Sequence, residues 1–189
     1  MHKNKKSDIG KRFYFEYFCL LKKILLISDT HSFIPDSFWK YIKEADELWH
    51  AGDVGNVEII DELKKLIPLK GVYGNIDGDI VRKEFPEYKA MIVQGVKILM
   101  LHIGGKPYRY SPRMRELMTH YKPEVVICGH SHILRVEFDK KSKVLFLNPG
   151  ALGNHGFHQV KTFLRFSLHE GKVSDMEVVE LEPRAVSMK

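Results

Sequence analysis

Two histidines separated by a single serine end the segment VICGHSH, where the apolar run Val125, Val126, Ile127 and Cys128 stops at Gly129 and gives way to His130 and His132. Neutral imidazole is the commonest side-chain metal ligand, so a strand that delivers two of them to its end is a candidate metal-binding element. A polar turn after a buried strand would have the same appearance. Four earlier segments are of the same kind. SDTHS carries Asp29 and His31, HAGDVGN carries Asp53, YGNID carries Asn75 and Asp77, and LMLHIGG carries His102. Singly, each reads as an ordinary cap, turn or strand end. In order, they offer carboxylate, imidazole and carboxamide at five successive strand ends, which independent turns have no reason to do.

The inventory of Asp29, Asp53, Asn75, His31, His102, His130 and His132 is two carboxylates, one carboxamide and four imidazoles. Mixed nitrogen and oxygen sets suit manganese, iron, zinc, cobalt or nickel rather than calcium. Cys128 is expected to point into the core, so no thiolate joins them. Seven ligands exceed one tetrahedral ion and suit two ions that share a carboxylate. Two such ions clamp the attacking and leaving oxygens of an in-line phosphoryl displacement.

Something must hold these groups together, and from Lys23 onward short apolar runs alternate with amphipathic stretches, the pattern of an α/β domain. KILLIS, ELWHAGD, LKGVYG, EVVICG, LRVEFD and KVLFLN read as strands; PDSFWKYIKEA, VEIIDELKKLI and SPRMRELMTHY read as helices. Ser111 is placed to cap the last helix, with Pro112 at its first position. Hairpins are expected at Gln94-Gly95, at Asp139 to Lys143 and at Glu170-Gly171. In open α/β sheets, sites form beyond the carboxyl ends of strands, where each of the five segments falls.

Bulk properties narrow the function. The chain has 189 residues, enough for one domain with a full core. No run of about 18 apolar residues suggests a membrane span. The net charge of +6 invites a nucleic-acid reading, but residues 1–23 hold seven basic groups against two acids and leave only about +1 for the rest. The body is near neutral, and no nucleic-acid partner is indicated. Two cysteines, Cys19 and Cys128, make no disulfide framework, and a reducing, cytoplasmic setting is expected. Residues 1–21 break the strand-and-helix rhythm and are expected to be a disordered leader or a mis-assigned start, with the functional domain at 22–189.

The five segments, followed by NPGA, resemble the calcineurin-like metallophosphoesterases, and within them the small single-domain YfcE-type phosphodiesterase branch. The resemblance spans about residues 23 to 182. It implies a four-layer α/β/β/α sandwich of two mixed sheets flanked by helices. It also implies that Asp29, His31 and His132 hold a first metal, that Asp53 bridges, and that Asn75, His102 and His130 hold a second. Manganese is the expected metal, with iron, zinc, nickel or cobalt as alternatives. Asp53, Asn75 and His102 would be the catalytic residues of a phosphodiesterase that hydrolyses a small phosphodiester, or a nucleotide-like substrate, by attack of a bridging hydroxide. The competing expectation is a non-catalytic scaffold, because a retromer relative resembles this fold and serves as a binding protein.

Two positions depart from the family pattern. Ile76 stands where many larger members have a proton-donating histidine after Gly-Asn, and Ile103 follows His102 where glycine is commoner. Asp77 is expected to orient ligands, and His50 either to do the same or simply to pack. His155 and His158 are candidates for substrate contact or proton donation. Lys106, Arg109 and Arg113 are candidates for anionic substrate, with Tyr108 and Tyr110 as stacking surfaces; a solvated basic loop is the alternative.

Overall fold

The computed structural model describes residues 21–157 and 159–183. Almost all of the expected leader, with Cys19, and also His158, lie outside the described residues. The elements run β1 (Lys22–Ile27), a 3-10 turn (Asp36–Phe38) leading into α1 (Trp39–Ile42), β2 (Glu47–His50), α2 (Val57–Leu66), β3 (Leu69–Gly71) and α3 (Asp79–Glu84). They continue with β4 (Tyr88–Val93), β5 (Val96–Leu101), β6 (Gly105–Lys106), β7 (Arg109–Tyr110), α4 (Pro112–Tyr121) and β8 (Val125–Ile127). The last are β9 (Arg135–Asp139), β10 (Val144–Asn148), β11 (Val160–His169) and β12 (Lys172–Pro183).

Two five-stranded sheets result, ordered β12-β11-β1-β2-β3 and β4-β5-β8-β10-β9. Each has a block of parallel strands, β1-β2-β3 at one side of the first and β5-β8-β10 at the centre of the second, with antiparallel strands completing the sheet. Strand alternation sorts the side chains into layers. In β1, Leu25 and Ile27 join Phe38, Ile42, Ile60 and Leu63 beneath α1 and α2, whereas Ile24 and Leu26 face the second sheet. In β8, Val125 and Ile127 meet that inter-sheet layer, and Val126 packs with Met114 and Leu117 of α4. Burial on both faces is why these strands read as unbroken apolar runs. The molecule is thus the four-layer α/β/β/α sandwich that the resemblance implies. Among the described residues no helix is long and apolar enough to cross a membrane.

Local chemistry accounts for the joints. Gln94 and Gly95 have φ of 50° and 82°, and Glu170 and Gly171 have 46° and 73°, the positive values that tight hairpins need. Ser111 Oγ accepts the Met114 amide at 3.1 Å and caps α4, with Pro112 in the first turn. Cys128 is buried in the outer core, where burial pushes its thiol up to about 12.

The structure differs from expectation in three places. The helix expected over PDSFWKYIKEA is shorter, a 3-10 turn and then one α-turn, although Phe38 and Ile42 are buried as its spacing requires. α3 was not anticipated, because only Val81 of its six residues is buried and the apolar signal is thin. The stretch around Lys106 and Arg109, to which no strand was assigned, is a small ribbon, β6 paired with β7.

Candidate metal centre

Parallel strands of both sheets end at one edge of the sandwich, and the chain leaves them in a backbone conformation that is uncommon for side-chain-bearing residues. Asp29, His31, Asp53, His130 and His132 have φ of 55°, 46°, 56°, 67° and 56°. Left-handed backbone at a non-glycine residue costs about 1 kcal/mol or more and persists only where its surroundings over-determine it. Here they do. The Asp29 amide donates to Gly52 O at 2.9 Å, His31 to Asp53 O at 3.1 Å and Ser32 to Val54 O at 2.8 Å, so the loops after β1 and β2 are laced together.

Six of the seven expected ligands form two clusters, Asp29 with His31 and His132, and Asp53 with His102 and His130; within each cluster the candidate ligand atoms lie within 4.8 Å of one another. His130 packs against His102 and His132 against His31, each with ring centroids 5.4 Å apart, so the two imidazoles of the opening motif join different clusters. The oxygens of Asp53 face both clusters. Oδ1 lies 3.2 Å from His102 Nε2, and Oδ2 lies 3.8 Å from His31 Nε2. Asp29 Oδ1 lies 3.1 Å from His132 Nε2, and its carboxylate also accepts the His130 amide.

The donor atoms fit a cation. His102 Nδ1 donates to Ala51 O at 2.7 Å, which leaves the lone pair on Nε2. That Nε2 and the Nε2 of His31 are both buried with no hydrogen-bond partner. Buried polar atoms are otherwise nearly always satisfied. A lone-pair nitrogen 3.2 Å from a carboxylate oxygen calls for a positive charge that both can share. Space has been kept for this arrangement as well. A Cβ at Gly74 would lie 2.0 Å from Asp53 Oδ1, and one at Gly129 would lie 2.1 Å from Ser28 Oγ and 2.9 Å from His102 Nδ1.

Burial and charge compete at the titrating groups. Burial holds the His31 imidazole below its ordinary value. At Asp53 burial acts upward, but His102, the Ile76 amide and His31 together hold the carboxyl below the ordinary range. At His102 burial acts downward and is outweighed by Asp53 and Asp29, so the group is raised. The hydrogen-bonded Asp29 carboxylate raises His132.

The remaining expected residues divide clearly. Asp77 is buried and accepts the amides of Gly55 at 2.8 Å and Gly74 at 2.7 Å, which ties the loops after β2 and β3 together. His50 is buried; its Nδ1 accepts the Gly52 amide and its Nε2 meets Thr30 Oγ1 at 2.9 Å, and burial lowers it to about 4. Asn75 is exposed and shares a cavity of about 430 Å³ with His102 and Ile103. Exposed His155 has its ring 5.4 Å from that of His31. Arg109 and Lys106 share a second cavity with His102 and His130. Arg113 is instead engaged by Glu87 at 2.9 Å and Glu116 at 3.0 Å. Tyr110 is buried against Phe146 and offers no stacking face, unlike exposed Tyr108.

One residue to which the sequence reading gave no role of its own, although it opens the NPGA turn, is Asn148. Its Nδ2 donates to Gly129 O at 2.9 Å and Ser131 Oγ at 3.1 Å, and its Oδ1 accepts the Gly150 amide at 3.0 Å. It clamps the loop that carries His130 and His132. The available signal was its place at a sixth strand end, in NPGA.

Comparison with known proteins agrees with this geometry. The family model of the calcineurin-like phosphoesterase superfamily domain matches residues 23–171. A probable metallophosphoesterase of Methanocaldococcus jannaschii is 33% identical over 134 residues, which are 67% of this chain and 66% of that protein. Two solved structures share the fold at lower identity. Vps29 of Entamoeba histolytica, as a single mutant, is 20% identical with a TM-score of 0.66, covering 85% of this chain and 99% of that one. A phosphodiesterase described as archaeal is 20% identical with a TM-score of 0.62, covering 84% and 99%. With a matching family model over most of its length and two clusters of candidate metal-ligand side chains at one edge of the sandwich, the chain belongs to the calcineurin-like phosphoesterase superfamily.

Proposed function

We propose that the protein is a phosphodiesterase that uses two divalent metal ions to hydrolyse a small phosphodiester. The observation that carries this reading is the Asp53 carboxylate, whose oxygens lie 3.2 Å and 3.8 Å from one imidazole of each cluster. Asp29, His31 and His132 would hold one ion, and Asn75, His102 and His130 the other, with Asp53 common to both. Bound there, two ions supply Lewis acidity, which lowers the pKa of water and offsets charge on the phosphoryl oxygens; manganese is our first choice for such a nitrogen and oxygen set, ahead of iron, zinc, nickel or cobalt.

The chain supplies the rest. Ala51 O and the Asp29 carboxylate hold His102 and the His130 amide in place, so little reorganisation is needed when substrate arrives. Asn75 is exposed beside His102, where its carboxamide can meet a phosphoryl oxygen. Ile76 cannot donate a proton, and exposed His155, beside His31, is the residue we assign to the leaving group. The preference for a diester draws on the archaeal phosphodiesterase of the same fold. A binding scaffold would leave the unpartnered Nε2 atoms of His31 and His102 without a purpose.

The test is metal content of the purified protein together with hydrolysis of bis(4-nitrophenyl) phosphate and 4-nitrophenyl phosphate, with Mn²⁺ and with chelator. We expect close to two ions per chain and diester cleavage that chelator abolishes. Absence of both bound metal and turnover, with Mn²⁺ supplied, overturns the proposal.

A further inference from the structure

Beside the second cluster lies a cavity of about 360 Å³ whose walls include His102, His130, Lys106, Arg109 and Arg135. No carboxylate contributes to those walls. Arg135 is paired with Glu137 at 3.3 Å, but among the described residues neither Lys106 nor Arg109 forms an ion pair with an acid. These two are direct cross-strand partners on the β6–β7 ribbon. Like charges set opposite each other destabilise a ladder, and a two-residue ladder has little stability to lose.

The ribbon is nevertheless anchored. Tyr108 donates its amide to buried Asp139 Oδ2 at 3.3 Å, Ser111 donates to Gly104 O at 2.9 Å, and the Tyr110 ring packs on Phe146. The fold therefore holds two unneutralised cations together at the wall of a cavity that also contains two of the candidate metal ligands. Such a concave, single-sign surface concentrates anions, and Arg in particular matches the geometry of phosphate oxygens.

We propose that Lys106 and Arg109 form a subsite for a second anionic group, so that the preferred substrate is a phosphodiester carrying a further phosphate. The inference rests on the phosphodiesterase reading for the identity of the scissile bond, but the subsite itself stands on the ribbon and its cavity. Ile103 and Ile133, both exposed in the same cavity, give the body of the substrate an apolar wall.

The experiment compares two substrates that differ only in that phosphate, thymidine 5′-(4-nitrophenyl phosphate) and its 3′-phosphorylated analogue. For the wild type, kcat/KM is expected to favour the analogue by at least about tenfold, the worth of one good charge-assisted contact. In K106Q/R109Q the ratio of the two values falls close to one, and in K106R/R109K it is retained. A ratio near one in the wild type, or a ratio that survives in K106Q/R109Q, overturns the subsite. The single variants Lys106→Gln and Arg109→Gln serve if the double variant does not fold, and each should lose part of the ratio. Binding of thymidine 3′,5′-bisphosphate to chelator-treated protein is read in parallel by calorimetry. If neither ester is cleaved, the phosphodiesterase reading fails and binding alone decides: at least about tenfold weakening in K106Q/R109Q supports the subsite, and equal binding overturns it.

Discussion

The two sheets bring different chemistry to their common edge. Loops after β1 and β2 supply both carboxylates of the clusters, Asp29 and Asp53, each buried, together with His31. Loops after β5 and β8 supply imidazoles only, and one of them, His130, is exposed. The carboxylate edge is laced by three backbone hydrogen bonds between its own loops, whereas the GHSH loop of the imidazole edge has one such bond, from Gly129 N to His102 O at 3.1 Å, and is otherwise held by Asn148 and by the Asp29 carboxylate across the gap. Each cluster takes members from both sheets. The lesson is that fixed negative charge is built into one wall, imidazole donors are brought to it by the other, and neither sheet alone owns a complete set of candidate ligands.

Asp53→Asn is the strongest challenge to this division, because one carboxylate faces both clusters. We expect loss of turnover on the order of 10³-fold, several kcal/mol of charge stabilisation, with an unchanged circular dichroism spectrum; substantial residual turnover would show that Asp53 is not shared. Asn148→Ala probes the opposite wall. Freeing the GHSH loop should weaken metal binding by about 10–100-fold in a chelator competition, as loss of a group that orients ligands does, and unchanged affinity would mean that the loop is held without it.

His50, beneath the carboxylate edge, gives a stability test. Its folded value is lowered from 6.5 to about 4, so between those limits the unfolded chain binds more protons than the native one. Native stability is therefore fullest above pH 6.5 and falls as pH drops toward 4, by an amount on the order of a few kcal/mol. Urea unfolding at pH 7 and pH 5, with chelator present, should show a steeper acid loss in the wild type than in His50→Gln; parallel losses would remove His50 from the account. The smallest effect is expected at a helix cap. Ser111→Ala removes the α4 cap and should lower stability by about 1 kcal/mol in urea unfolding.

Much of this arrangement was legible because each ligand-bearing segment follows an apolar run that had to be a strand, and strand ends of a parallel sheet gather at one edge. The hairpins at Gln94-Gly95 and Glu170-Gly171 were legible because two-residue turns demand such residues. What escaped depends on distance in space rather than in sequence. Arg113 is taken up by Glu87, from beyond β4 and β5, and Tyr110 turns inward because Phe146 offers it a core. The clamp at Asn148 needed the register of β10 beside β8 before its reach to Gly129 could be seen. The short ribbon β6–β7 has too few residues to show a period at all.

The left-handed backbone at Asp29, His31, Asp53, His130 and His132 has a consequence for how such a chain drifts over generations. At each of these positions glycine would relieve the conformation that the native side chain must endure. A lineage that no longer needed the proposed metal site would meet little resistance in discarding its candidate ligands, and some of those replacements would make the protein more durable. Retaining all five therefore takes continuing selection for what they do together, and forgetting the chemistry while preserving the architecture is the downhill direction.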